Sequence, residues 1–314
     1  MKRYRTLLLA TAALGATAFS AHAEVNVIAS IKPVHSLVAA VMKGAGEPSL
    51  IVDGAGSPHT YSLKPSQAAA LQNADLIFWI GEQIEAFLEK PISTIGSGKA
   101  VELIDAKGLQ TLSPREGGAF DAHGHDEEEE HADEDHGDGH DEVDTHVWLD
   151  TLNAKAMAQE IAAALAEADP DNAALYRDNA AALDARLDKL TTELTAQLAP
   201  VKDTGFIVFH DAYQYFEHRF GLAAAGSITV SPDVMPGADR IREIQAKIGE
   251  LGATCVFSEP QFEPRLITVA TEGSDARSGV LDPLGADIEA GPELYFTLMR
   301  NMADSFASCL SGGS

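Results

Sequence analysis

The sequence predicts an α/β protein of two similar lobes, each a mainly parallel four-stranded sheet with flanking helices, joined by one long rigid helix. Three observations carry this. Short β-rich runs alternate with helical stretches over residues 25–104, and the same alternation returns from residue 205 onward. Between the two regions, residues 172–198 carry no helix breaker and place Leu175, Leu183, Leu187, Leu190, Leu194 and Leu198 at near-helical spacing. A helix of that length spans roughly 40 Å, longer than one small domain is wide, so it reads as a strut and not as a flexible hinge. The third observation is size, since 314 residues are enough for two domains with well-formed cores.

The first 23 residues combine a basic start (Lys2, Arg3, Arg5), a short apolar run and the ending Ala21-His22-Ala23. This pattern predicts a secretory signal peptide cleaved after Ala23. The N-terminal lobe then covers residues 24–168. Strands are expected at 25–30, 50–52, 75–80 and 101–104, and helices at 35–43, 65–73, 82–89 and 151–168. The run Asp75-Leu76-Ile77-Phe78-Trp79-Ile80 is apolar enough for a strand buried on both faces. Asp169 or Asp171 can cap the joining helix, and Pro170 is placed to open it. That helix, within residues 169–200, stops at Pro200. The C-terminal lobe, residues 201–314, has expected strands at 205–209, 225–229, 255–258 and 280–281. Its helices are expected at 212–220, 237–251, 264–272 and 292–309.

The net charge of −26 excludes nucleic acid as a partner, because phosphate binding needs a basic surface. Much of the excess sits in an acidic loop, residues 121–145, built almost wholly from Asp, Glu, His and Gly. An exported chain meets an oxidising compartment, so its two cysteines, Cys255 and Cys309, are expected to pair. The link would tie the last helix to its own sheet and contribute roughly 4 kcal/mol on the chain-entropy model.

Six of the eleven histidines fall in residues 121–150: His123, His125, His131, His136, His140 and His146. Imidazole and carboxylate are the usual ligands of zinc and its transition-metal neighbours. The first five suit an auxiliary, weaker metal-collecting loop, although a solvated acidic spacer has the same composition. His146 belongs with two others. His210 follows the apolar run Phe206-Ile207-Val208-Phe209, and His59 follows the Leu50-Ile51-Val52 strand by a Gly- and Pro-containing turn. His146 precedes Val147-Trp148-Leu149 and a helix start. Open parallel sheets bind ligands outside the carboxyl ends of their strands, where Asp282 also falls. Three imidazoles with one carboxylate or water make a tetrahedral zinc site. His35 and His218 read as structural or surface residues, and Trp148 and Tyr61 as support for the cleft.

The stretches Ser57-Pro58-His59-Thr60-Tyr61-Ser62-Leu63-Lys64-Pro65-Ser66, His146-Val147-Trp148-Leu149-Asp150, Phe209-His210-Asp211-Ala212-Tyr213 and Leu281-Asp282-Pro283-Leu284-Gly285 resemble the metal-binding family of periplasmic substrate-binding proteins, and most closely its zinc-uptake branch. The resemblance covers essentially the whole mature chain. It implies Zn²⁺ as the transported ligand in the cleft between two α/β lobes, with His59, His146 and His210 as ligands. It also implies delivery to a cognate inner-membrane ABC permease. A periplasmic zinc chaperone is a further expected partner, and the chain is expected to be a monomer. Manganese-binding relatives often carry Glu where His210 stands, and imidazole favours zinc. Some zinc-binding relatives have Glu immediately before the first histidine. Pro58 stands there and cannot ligate, so the fourth position falls to Asp282 or to water, with Asp282 favoured. The alternatives are a manganese carrier of the same family and a zinc-dependent hydrolase. Against the enzyme reading, the sequence has no HExxH motif and no nucleophile elbow.

Overall fold

The structure, a computed structural model, describes residues 25–115, 120, 143–229, 232, 236–251, 255–262 and 265–312. Two parallel four-stranded sheets organise it. In the first, β1 (Val27–Ile31), β2 (Ser49–Val52), β3 (Leu76–Trp79) and β4 (Lys99–Glu102) lie in the order β2-β1-β3-β4. The second repeats that order with β5 (Phe206–His210), β6 (Ala224–Thr229), β7 (Cys255–Ser258) and β8 (Arg277–Val280), as β6-β5-β7-β8. The central strands β1, β3 and β5 are buried at every residue, as parallel strands covered on both faces must be.

Helices α1 (Lys32–Val41), α2 (Pro65–Asn73), α3 (Ala86–Ile95) and α4 (Thr151–Ala168) belong to the first half. Asp150 caps α4 by accepting a hydrogen bond from Leu152 N at 2.7 Å. The same carboxylate takes a bidentate contact from Arg219, 2.7 Å on each oxygen, and so ties α4 to the second half. The joining helix α5 covers Ala173–Leu198, entered by a 3-10 turn at Pro170–Asn172. Helices α6 (Gln214–Phe220), α7 (Ala238–Leu251), α8 (Arg265–Ala270) and α9 (Leu294–Leu310) complete the second half. Gly221, at φ 71°, ends α6 in the left-handed conformation that glycine adopts without strain.

α5 is a strut with both ends fastened. It lies antiparallel to α4, shown by the pairs Thr151–Thr191, Lys155–Asp188 and Gln159–Asp184. Near its start, Asn179 donates to the Val41 and Lys43 carbonyls at the end of α1. Toward its end, Glu193 accepts from Arg300, and Gln197 donates to Asp304, both on α9. Leu183, Leu187, Leu190, Leu194 and Leu198 are all buried, and one apolar core runs through both halves. A second cluster lies between the second sheet and α7 and α8.

Several boundaries differ from the sequence expectation, each for a local reason. Residues 82–85 do not open α3, because the Glu85 carboxylate turns back to accept from Ile80 N at 2.7 Å. The helix starts after it and continues to Ile95 with Pro91 inside. α1 begins three residues early, since Pro33 suits a first helical turn. β4 ends at Glu102, where the chain tightens into a 3-10 turn at Leu103–Asp105. β8 lies at Arg277–Val280, earlier than expected, paired along its length with β7. Neither Asp169 nor Asp171 is the residue before α5; that position is Asn172, and Asp169 instead holds Asn172 Nδ2 and the Tyr176 hydroxyl at 2.7 Å. Cys255 and Cys309 form the expected disulfide, with Cα atoms 6.0 Å apart.

Glu85 makes stability depend on pH. It is fully buried, and burial pushes its pKa up to about 7, although the nearby Ser30 hydroxyl and hydrogen bonds from Ile80 N and Gly81 N oppose the shift. The folded chain therefore holds this proton more tightly than the unfolded chain does. Its contribution is full below about pH 4.5, falls as pH rises, and is lost above about pH 7, a swing of about 3 kcal/mol. Urea unfolding of the wild type and Glu85→Gln at pH 5 and pH 8 should show the variant gaining relative stability at pH 8.

Candidate metal centre

Three histidines reach one point from three separate segments. His210 is the last residue of β5, at the carboxyl end of a central strand. His59 sits in the irregular segment between β2 and α2. His146 immediately precedes a 3-10 turn, Val147–Leu149, which leads into α4. One ring nitrogen from each lies within 4.8 Å of the other two. The ring centroids are 5.3 to 5.7 Å apart. His146 Nε2 and His210 Nε2 approach to 3.4 Å. Two imidazole nitrogens on one tetrahedral zinc, each about 2.1 Å from it, lie about 3.4 Å apart.

Carboxylates hold two of these rings from behind. Asp144 Oδ1 accepts from His146 Nδ1 at 2.8 Å and from its backbone N at 3.0 Å. Glu259 Oε1 accepts from His210 Nδ1 at 2.7 Å and from its backbone N at 3.3 Å. In both rings Nδ1 carries the proton donated to the carboxylate, which directs Nε2 into the site. His59 has no hydrogen-bond partner among the described residues. Burial, then the neighbouring His146 and His210, push its pKa down to about 2, so it is neutral and able to ligate. At His210 burial acts downward as well, but the charge and hydrogen bond of Glu259 outweigh it and hold the pKa above its ordinary value.

The space between these groups is about 10 Å³, room for a single ion or water. Trp148 walls it, with its ring 5.4 Å from that of His146. The indole donates to the Pro283 carbonyl at 2.8 Å, and the Tyr295 hydroxyl to the Trp148 carbonyl at 2.7 Å. Tyr61 stands further back, against Phe87, where it accepts from Gln67 and stiffens the His59 segment. Among the described residues no lysine or arginine lines the space, yet it contains Glu259, with Asp144 directly behind His146. Buried negative charge beside three imidazole nitrogens fits a divalent cation.

Asp282 lies outside the three-histidine group. Its Oδ1 accepts from Gln261, Leu284 N and Gly285 N, and its Oδ2 from Ala286 N at 2.6 Å. His123, His125, His131, His136 and His140 lie outside the described residues. His35 is buried and donates to the Pro48 carbonyl at 3.0 Å; His218 is exposed.

Asp144 and Glu259 escaped the sequence reading. Asp144 had a local signal, a carboxylate two residues before a candidate ligand. Glu259 directly follows β7, the kind of strand-end position that singled out His210 and Asp282. Arg115 was also missed. It bonds Asp211, the neighbour of His210, and Glu217, fastening a segment of the N-terminal half to the C-terminal lobe.

This fold and site define a two-lobed protein with a single-ion cleft, as in metal-specific substrate-binding proteins. A model of the family described as "Zinc-uptake complex component A periplasmic" (ZnuA) matches residues 27–309. The high-affinity zinc uptake system protein ZnuA of Brucella suis is 54% identical, over 99% of this chain and 100% of the relative. A crystal structure of ZnuA superposes with a TM-score of 0.76 at 28% identity, covering 92% of this chain and 100% of that one. A zinc-bound ZnuA deletion mutant superposes with a TM-score of 0.75, also at 28% identity, over 93% of this chain and 100% of that one. The chain belongs to the ZnuA family of periplasmic zinc-uptake components.

The unequal support of the three rings predicts unequal effects on the metal-free protein. His210→Ala strands the buried Glu259 charge and should destabilise by about 3 kcal/mol at pH 7. His59→Ala removes a ring that no hydrogen bond holds, and should leave the unfolding midpoint nearly unchanged. Denaturant unfolding in the presence of a chelator measures both.

Proposed function

We propose that this protein captures Zn²⁺ in the periplasm and hands it to a cognate inner-membrane ABC permease for import. The observation that carries the reading is the convergence of three imidazole nitrogens on a space for one ion. His59, His146 and His210 are the protein ligands, and an all-imidazole set favours zinc over manganese. Asp282, committed to Gln261 and three backbone N–H groups, steadies the loop after β8, and a water takes the fourth position.

Residues 1–23 act as the export signal and are removed. No helix among the described residues is long and apolar enough to cross a membrane. His123, His125, His131, His136 and His140 form an auxiliary, weaker collecting loop, since ordering such a segment around an ion costs conformational entropy. The protein works as a monomeric carrier, and a periplasmic zinc chaperone is a further partner. It carries its ion without catalysing a reaction. A water in the fourth position does not by itself make a hydrolytic zinc, which also needs a positioned base and room for a substrate beside the ion.

The test is zinc calorimetry with a competing chelator, on the intact protein and on a form lacking residues 122–142. One tight site should survive the deletion while weaker sites disappear, and alanine at His146 or His210 should abolish the tight site. Loss of all tight binding with the loop would place the principal site there and refute the assignment.

A further inference from the structure

We propose that Glu259 is a positioning residue for the captured ion, holding His210 in the form that offers only Nε2 and supplying negative charge against which a divalent cation is retained. This inference rests on the zinc reading of the three-histidine site.

Asp144 and Glu259 make similar contacts but arise differently. Asp144 is two residues from His146, so a local turn accounts for its place. Glu259 is 49 residues from its histidine and directly follows the neighbouring strand, β7, which pairs with β5. No local geometry requires a carboxylate there. Its side chain is 1% exposed, and among the described residues no lysine or arginine pairs with it. Oε1 serves His210 through both the ring and the backbone N. Oε2 is buried and has no hydrogen bond of good geometry, although the Tyr213 hydroxyl, likewise without one, lies close enough to interact with the Glu259 carboxylate. A carboxylate so placed costs several kcal/mol to desolvate, and its contact with the single His210 ring offsets only part of that.

A cation at Nε2 changes the balance. The metal polarises the imidazole, the Nδ1–H donates more strongly to Oε1, and the buried charge gains a counter-ion one ring away. Without Glu259, His210 is free to carry its proton on Nε2, the nitrogen that must be bare to ligate. Glu259 also lines the ion's own space, so its field acts there directly. Its contribution therefore lies in the loaded protein more than in the empty one, which distinguishes it from a residue that merely braces the fold.

The test compares wild type, Glu259→Gln and His210→Ala by chelator competition for zinc, by the visible spectrum of the Co²⁺-loaded protein, and by thermal unfolding without metal. Glu259→Gln keeps the size and an acceptor oxygen but removes the charge. It should bind zinc about 10- to 100-fold more weakly and shift the Co²⁺ bands, with a metal-free unfolding midpoint equal to or above that of the wild type. Unchanged zinc affinity and an unchanged Co²⁺ spectrum in Glu259→Gln, with binding lost in His210→Ala, would overturn the role of Glu259 alone. Wild-type affinity in His210→Ala would instead overturn the site itself. If Glu259→Gln fails to fold, nitrogen-15 NMR of the zinc-loaded wild type decides. A proton on His210 Nδ1 with metal at Nε2 supports the proposal, and the reverse arrangement sinks it.

Discussion

The leucine stripe of α5 is the constraint on which the rest depends. Leu183, Leu187, Leu190, Leu194 and Leu198 sit in a core that is continuous from the first sheet to the second. Two lobes that share a core cannot drift apart without exposing it, and fully burying one such side chain is worth about 2 kcal/mol. The strut is pinned to α1 near one end and to α9 near the other. That fixes the carboxyl edges of the two sheets against each other, and His59 and His210 meet at the seam. Further ties cross nearby. Lys32, buried at the start of α1, donates to the Ala286 carbonyl at 2.9 Å, and Tyr295 N donates to Ser36 Oγ at 3.0 Å.

Within that frame the site is an electrostatic arrangement that the protein's own side chains leave short of a cation. The chain places two carboxylates behind two imidazoles, and no lysine or arginine among the described residues lines the space. Other buried acids are either matched, Asp150 by Arg219 and Asp211 and Glu217 by Arg115, or, like Glu85, pushed toward the neutral form by burial. The contrast between neutralised and unneutralised buried charge separates the structural pairs from the functional one. It also accounts for the different standing of the three rings. His146 and His210 are oriented before any ion arrives, whereas His59 rests on packing alone.

Much of this was legible in the chain. α2, α4 and β7 fall on the residues expected, because proline starts, an Asp cap and a β-rich apolar run are local signals. The misplaced elements share another cause. Glu85 shortens the front of α3 through a carboxylate that bends back to Ile80 N, and β8 takes its register from β7. Those are contacts that no window of sequence displays.

The sequence by itself determined the two-lobed α/β class, the long joining helix, the paired cysteines and the three histidines near strand ends and helix starts. Each rests on periodicity, residue type or spacing, which are properties of the chain. Only the tertiary structure decided which carboxylates stand behind those histidines, and that Asp282 commits its oxygens to Gln261 and three backbone N–H groups. Hydrogen bonds act over about 3 Å in space whatever the distance along the chain. A partner 49 residues away, as Glu259 is from His210, becomes visible only once the strands are paired.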